Sequence, residues 1–346
     1  MKLSVFSAQP YDKNYLSQVQ TAKYSQVEII FHSFPLSGET VSLAEGSDAI
    51  CVFVNDTVND VVLKALASFG VRAILLRCAG YNNVDLKVAE ELGFFVANVP
   101  SYSPEAVAEF AVALIQTLNR KTHRAYNRVR EGNFNLDGLL GFTLHGKTVG
   151  VLGVGRIGLA FARIMKGFGC RLLAHDPWAG KEFEEYGEFV ELDALLQQSD
   201  IVSLHCPLVE STRHIINDKT LGRMKEGATL VNTSRGGLID TRAAISALKS
   251  RHLGGLALDV YEGEGSLFYE DHSADIIDDD ELMRLMTFPN VLICGHQAFF
   301  TSEALTEIAE VTLRNLEEYS TGATCKNCLV KRGQVLVRRE SLPVRI

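Results

Sequence analysis

The sequence has no unbroken apolar run of the roughly 18 residues that a membrane span requires. It has no positive excess either: 34 Lys and Arg stand against 42 Asp and Glu, a formal net charge of −8. Binding of nucleic acid rests on clustered Lys and Arg, so this balance counts against nucleic acid as a partner. The opening stretch MKLSVFSAQPYDKNY lacks the apolar segment and small-residue cleavage site of a signal peptide. Cysteines number seven, an odd and scattered set. Cys51, Cys170 and Cys294 lie in or beside apolar runs, as small core residues do. A cytoplasmic chain with reduced thiols is the expectation. Cys325 and Cys328 form a CxxC, but no second CxxC or HxxxH pair supplies the remaining ligands of a zinc site. The pair is expected as free thiols at the surface, with a metal or redox site as the alternative. The acidic stretch 275–281 is read as solvated surface, and no metal is expected. There is no internal repeat and no low-complexity run.

What is present reads as a globular α/β protein. Charged residues make up 22% and hydrophobic ones 47%, near the average for folded domains, and 346 residues suggest two of them. Short apolar runs at 3–6, 28–31, 49–54 and 73–76 read as buried strands, with helical spacing over 58–69. Such alternation predicts a parallel sheet covered by helices on both faces. Pro100 and Pro104 mark a crossing, and a long helix, apolar on one side, is expected from 105 to about 130. Six further strands are expected at 148–152, 171–175, 201–205, 228–232, 255–259 and 291–294, then an amphipathic helix over 302–319. The simplest topology returns that last helix to the first domain, which is then discontinuous. The expected division is 1–100 plus 299–330 for one domain, 101–298 for the other, and a basic, flexible tail at 331–346. Two parallel-sheet domains, Rossmann-like or flavodoxin-like, with a cleft between them are thus expected; such clefts favour small-molecule sites.

Gly153-Val154-Gly155-Arg156-Ile157-Gly158 matches GxGxxG, directly after an apolar strand and opening a helix. Glycines there allow a tight turn and close approach of a pyrophosphate to the helix N-terminus. Asp176 lies 18 residues after Gly158 at the end of the next strand, where an acid hydrogen-bonds ribose hydroxyls. An acid there repels a 2′-phosphate, so NAD is expected rather than NADP, although Arg156 blurs the choice.

Ligands of open parallel sheets bind outside the carboxyl ends of the strands. Arg235, Glu264 and His296 each follow a strand and can converge there. The set suits reduction of a 2-keto acid. An arginine clamps a carboxylate and polarises the adjacent carbonyl, while an imidazole, titrating near neutrality, delivers a proton. A neighbouring carboxylate favours the charged imidazole. Each residue also has a plain structural reading, as an ion-pair arginine, a hydrogen-bonded histidine and a loop acid. His205, also at a strand end, is the second choice for the acid.

At these residues the chain resembles the NAD-dependent D-2-hydroxyacid dehydrogenases, over about residues 1–330. The resemblance includes Phe6-Ser7-Ala8-Gln9-Pro10-Tyr11-Asp12, Cys78-Ala79-Gly80-Tyr81-Asn82-Asn83-Val84-Asp85 and Asn119-Arg120-Lys121-Thr122-His123-Arg124-Ala125-Tyr126. It continues through the glycine loop, His205-Cys206-Pro207-Leu208, Asn232-Thr233-Ser234-Arg235-Gly236, Asp259-Val260-Tyr261-Glu262 and Gly295-His296-Gln297-Ala298-Phe299. It is nearest to the fermentative, lactate-forming members, which implies reduction of pyruvate to D-lactate with NADH. It implies Arg235 as substrate clamp, His296 as proton donor and Glu264 as its partner. It implies NAD contacts from Gly153, Gly155, Arg156, Ile157, Gly158, Asp176, Cys206, Pro207, Thr212, Thr233, Ser234, Arg235 and Asp259. Substrate would meet the backbone amides around Ala79 and Gly80, then Tyr102, Arg235, His296 and Phe299. A bulkier 2-keto acid, such as 2-oxoisocaproate or phenylpyruvate, and an NADH-sensing binding module are the alternatives. Similar enzymes are homodimers or homotetramers.

Overall fold

The computed structural model describes residues 1–178 and 180–330; the expected basic tail at 331–346 lies outside the described residues. The strands are β1 (Lys2–Val5), β2 (Glu28–Phe31), β3 (Ala49–Val52), β4 (Ala73–Leu76), β5 (Phe95–Ala97), β6 (Thr148–Leu152) and β7 (Arg171–His175), then β8 (Glu188–Phe189), β9 (Ile201–Leu204), β10 (Ala228–Asn232), β11 (Leu253–Leu258), β12 (Val291–Ile293) and β13 (Cys328–Val330). Every residue of β3, β4, β9 and β10 is buried. Burial on both faces is why these runs read as continuously apolar rather than alternating. Among the described residues the chain forms two compact units, 1–103 with 300–330, and 104–299.

In the first unit the sheet order is β13-β5-β4-β3-β1-β2, with β1 to β5 parallel and β13 antiparallel to β5. Without β13 this is the flavodoxin-like order. The helix Ser302–Thr321 belongs to this unit. Its Ala309, Leu313 and Leu316 share a core with Leu3, Val5 and Leu75, and Gly322, in the left-handed region at φ +69°, ends it. The CxxC expectation is corrected here. Cys325 and Cys328 are free but buried, 6% and 8% exposed, because Cys328 opens β13 and pairs with Ala97 of β5.

In the second unit seven parallel strands run β12-β11-β10-β9-β6-β7-β8. The chain winds outward in both directions from β6 and β9, which makes their carboxyl ends the topological switch point. The expected single helix over 105–130 is two, Pro104–Arg120 and Thr122–Arg130, broken at Lys121 with φ +52°. The first half buries Ala111, Leu114 and Ile115 in a core with Phe161 and Met165 of the helix Arg156–Gly167. The second half buries none of its residues. At the break, the Asn119 amide exchanges hydrogen bonds with the N–H and C=O of Phe142, and the Lys121 ammonium donates to the Leu140 carbonyl. Tertiary partners therefore set the bend where helical periodicity alone runs on. Among the described residues no helix is long and apolar enough to cross a membrane.

Candidate active site

The glycine loop leaves β6 at the switch point. Gly153 has φ +91°, and a Cβ there would lie 2.5 Å from the Cys206 backbone nitrogen, so the turns after β6 and β9 touch through bare backbone. A Cβ on Gly158 would lie 2.2 Å from the Gly153 carbonyl oxygen. The helix Arg156–Gly167 starts directly after Gly155, which leaves the N–H groups of its first turn without intrahelical partners. Asp176, after β7, accepts from the Val154 N–H through Oδ2 and from the Trp178 N–H through Oδ1, each at 2.8 Å. The carboxylate that was expected to read ribose therefore also fixes the loop. A carboxylate has about four lone-pair sites, so capacity for further donors remains.

The turns after β9 and β10 are tied together. Ser234 Oγ donates to the Cys206 carbonyl at 2.7 Å, and Thr212 Oγ1 donates to the Pro207 carbonyl at 2.7 Å. Burial pushes the Cys206 thiol up to about 12, which keeps it protonated. Asn232, fully buried at the end of β10, accepts from the Ser234 N–H and donates to the Arg235 carbonyl. Sequence reasoning passed over Asn232 as a functional support. Its signal was a lone amide closing an otherwise apolar strand. The Arg235 guanidinium spends one N–H on the Ser234 carbonyl at 2.7 Å and is only partly buried. Thr233 is 7% exposed, and its hydroxyl has no partner among the described residues.

His296 and Glu264 meet. His296 Nδ1 lies 2.9 Å from Glu264 Oε1, both side chains being about four-fifths buried. Glu264 Oε2 accepts from the Tyr261 N–H at 2.8 Å, so the carboxylate is held from behind. His296 has φ +52°, a conformation that a non-glycine residue keeps only when its surroundings impose it. Asp259 imposes it. Its backbone carbonyl accepts from the His296 N–H at 2.7 Å, and its fully buried carboxylate accepts from the N–H groups of Gln297 and Ala298. Burial pushes the Asp259 carboxyl up from the usual range, against the pull of those two donors. With Nδ1 committed to Glu264, Nε2 is the nitrogen left for a ligand.

His205, the second choice for the acid, is excluded by its surroundings. It is 7% exposed, packs against Phe161 with the rings tilted and their centroids 4.8 Å apart, and bonds Ser203 Oγ through Nε2. Burial lowers its pKa to about 3, so it holds no proton to give at neutrality.

The remaining expected residues are Phe299, buried in the second unit, and Ala79, Gly80 and Tyr102 in the first. Ala79 is buried, while Gly80 and Tyr102 are half-buried. Among the described residues no group of three or more His, Cys, Asp or Glu is arranged to hold a metal.

The second unit therefore offers a dinucleotide the features it needs at one switch point. Gly153 and Gly158 keep a backbone cradle that a Cβ would fill, a buried Thr233 hydroxyl lacks a partner, and a helix N-terminus opens onto the loop. The family model described as "D-isomer specific 2-hydroxyacid dehydrogenase, NAD binding domain" matches residues 112–298. The chain is 70% identical to 2-hydroxyacid dehydrogenase A of Aspergillus oryzae, over 100% of both chains. It is 67% identical to D-lactate dehydrogenase kk1H of Curvularia clavata, over 98% of both. The apo structure of D-lactate dehydrogenase from Escherichia coli superposes with a TM-score of 0.88 at 50% identity, covering 95% of this chain and 100% of that one. The chain belongs to the D-isomer specific 2-hydroxyacid dehydrogenases. It is an NAD-dependent oxidoreductase acting on a small molecule.

Proposed function

We propose that this enzyme reduces pyruvate to D-lactate, and that the first unit is its substrate domain. The observation that carries the reading is the His296–Glu264 pair, held at 2.9 Å with one ring nitrogen left over, in a unit built for NAD. Likeness to D-lactate dehydrogenases over nearly the whole chain supports the choice of substrate.

NAD, when bound in reduced form, supplies the hydride that goes to the keto carbon. Arg235 clamps the substrate carboxylate and polarises the keto oxygen by charge-assisted hydrogen bonds. The backbone N–H groups of Ala79 and Gly80 also bind the substrate carboxylate. His296 Nε2 gives the keto oxygen its proton as hydride arrives, and Glu264 keeps the ring oriented and its new charge compensated. In the reverse direction neutral His296 takes the hydroxyl proton. Bulky rings at Tyr102 and Phe299 favour a substrate whose side chain is a methyl group. Asp176 reads the adenosine ribose, while Gly153, Gly155, Arg156, Ile157 and Gly158 take the pyrophosphate. Cys206, Pro207, Thr212, Thr233, Ser234 and Asp259 frame the rest of the dinucleotide.

We place the enzyme in the cytoplasm as a homo-oligomer. All seven cysteines are free thiols, which suits a reducing compartment. The chain also exposes a concentrated apolar segment, Tyr126 to Phe142, that suits a second copy of itself.

The test is NADH absorbance with pyruvate, followed by chiral analysis of the product. Turnover giving D-lactate supports the reading. Faster turnover of 2-oxoisocaproate or phenylpyruvate would replace pyruvate and keep the chemistry. No turnover with any 2-keto acid, with NADH still bound, would turn the reading to an NADH-sensing module.

A further inference from the structure

The first unit holds the loop after β4 with unusual care. Two bonds tie it to the segment that follows β5, and a third closes the loop on itself. Val99 N–H donates to the Cys78 carbonyl at 3.1 Å, Asn98 Nδ2 donates to the Ala79 carbonyl at 2.7 Å, and Cys78 Sγ lies 3.2 Å from the Gly80 carbonyl. A peptide unit is planar and, in the trans form, its C=O and N–H point in opposite directions. Fixing the Cys78 and Ala79 carbonyls toward residues 98–99 therefore turns the N–H groups of Ala79 and Gly80 the other way. Neither of those two N–H groups donates to an acceptor among the described residues.

Asn98 is in turn held from behind. It is 5% exposed; its N–H donates to the Asn327 carbonyl at 3.2 Å, and its own carbonyl accepts from Asn315 Nδ2 at 2.9 Å. Asn315 is fully buried on the helix Ser302–Thr321, and its Oδ1 accepts from Asn327 Nδ2 at 3.0 Å and from the Cys325 thiol. Three side-chain amides thus run from the approach to β13 to the loop after β4. Such a buried polar network has a single low-energy arrangement, since leaving any member unpaired costs free energy.

We propose that Asn98, fixed by Asn315 and Asn327, is a positioning residue that aims the Ala79 and Gly80 amides at the substrate carboxylate. The proposal rests on the reading that these two amides bind that carboxylate. It gives the segment after the last helix a task in substrate binding, although none of its residues need touch substrate.

The experiment uses the full-length enzyme and the 2-keto acid turned over best. Asn98→Ala removes the donor to the Ala79 carbonyl, and Asn315→Asp removes the donor behind it. With NADH saturating, KM is expected to rise about 10-fold in the first variant and about 3-fold in the second, while kcat changes by less than about 2-fold. NADH affinity stays at the wild-type value, and the inhibition constant of oxamate, a carboxylate-bearing isostere of pyruvate, rises with KM. Unchanged KM in a variant with wild-type circular dichroism would overturn the proposal, as would equal losses in NADH affinity and kcat. If Asn98→Ala does not fold, Asn327→Ala takes only the donor to Asn315 Oδ1, and the same split decides. Gly80→Pro removes one of the two N–H groups directly. A raised KM there with none in the asparagine variants leaves the amide reading standing and removes Asn98. No rise in any variant removes the amide reading itself.

Discussion

A histidine's task here is decided by what its two nitrogens face. His296 Nδ1 faces Glu264, and its backbone is pinned at φ +52° by the Asp259 carbonyl. His296→Gln keeps a side chain of similar reach but offers no proton at neutrality. We expect kcat to fall by about 10²–10⁴ with NADH affinity unchanged, checked by steady-state rates and fluorescence titration. A variant as fast as wild type would take the proton transfer away from His296. His205 shows the opposite environment. Its folded pKa, lowered to about 3 by burial, lies below the ordinary histidine value. The unfolded chain then binds a proton that the folded one refuses, so this residue's contribution is intact above the unfolded pKa and lost as pH falls toward the folded one. Urea unfolding of the wild type should therefore lose about 1.4 kcal/mol per pH unit more than His205→Asn on the acid side of neutrality, down to the folded pKa. Parallel pH profiles would show that His205 is protonated in the folded enzyme. Sequence alone placed both histidines at strand ends and put His296 first; what excludes His205, the Phe161 ring and Ser203 hydroxyl around it, is visible only in the fold.

At the scale of elements, what the sequence displayed were the buried parallel strands, whose apolar runs β3, β4, β9 and β10 need no alternation. The glycine loop was legible for a different reason: its residues are demanded by contacts so close that few others fit. Features set by distant partners stayed hidden. Nothing in Asn119-Arg120-Lys121 announces a left-handed residue; the break is bound to Phe142 and Leu140, some twenty positions on. The burial of Cys325 and Cys328 likewise depends on β13 finding the edge of β5. The glycine loop supplies the element-scale prediction. Gly158→Ala places a Cβ 2.2 Å from a backbone oxygen that cannot step aside. Its cost should be about 1–3 kcal/mol in denaturant unfolding, with a matching loss of NADH affinity. Gly167→Ala, in the same helix and with nothing within 4 Å of its Cβ, should gain about 0.5–1 kcal/mol and leave NADH affinity alone. Equal behaviour of the two would mean that the cradle relaxes.

For the whole molecule, the arithmetic of apolar surface points beyond one chain. The helix Thr122–Arg130 buries none of its residues, and the stretch after it leaves Phe134, Leu136 and Leu140 at 74%, 78% and 88% exposed. Tyr126 and Val129 on the helix are more than half exposed as well. Soluble monomers seldom keep so many large apolar side chains together in water, and a patch of this kind marks an association surface. A second copy is the occupant favoured here. The segment is ordered by its own bonds, with Arg128 donating to the carbonyls of Asn135 and Asp137, so it stands ready without a partner to fold it. In a two-fold arrangement the same patch serves both chains, and each apolar residue is covered once by its counterpart's surface. Sedimentation of the wild type at micromolar concentration should therefore give at least a dimer. Replacing Phe134, Leu136 and Leu140 together by Ser removes apolar area from each side without touching any buried residue of the fold. If these three side chains sit in the interface, at roughly 1.5–3 kcal/mol for each fully buried one, the dissociation constant should rise by several orders of magnitude and monomer should dominate. A triple variant that sediments as the wild type would put the interface elsewhere and leave this segment free for another protein.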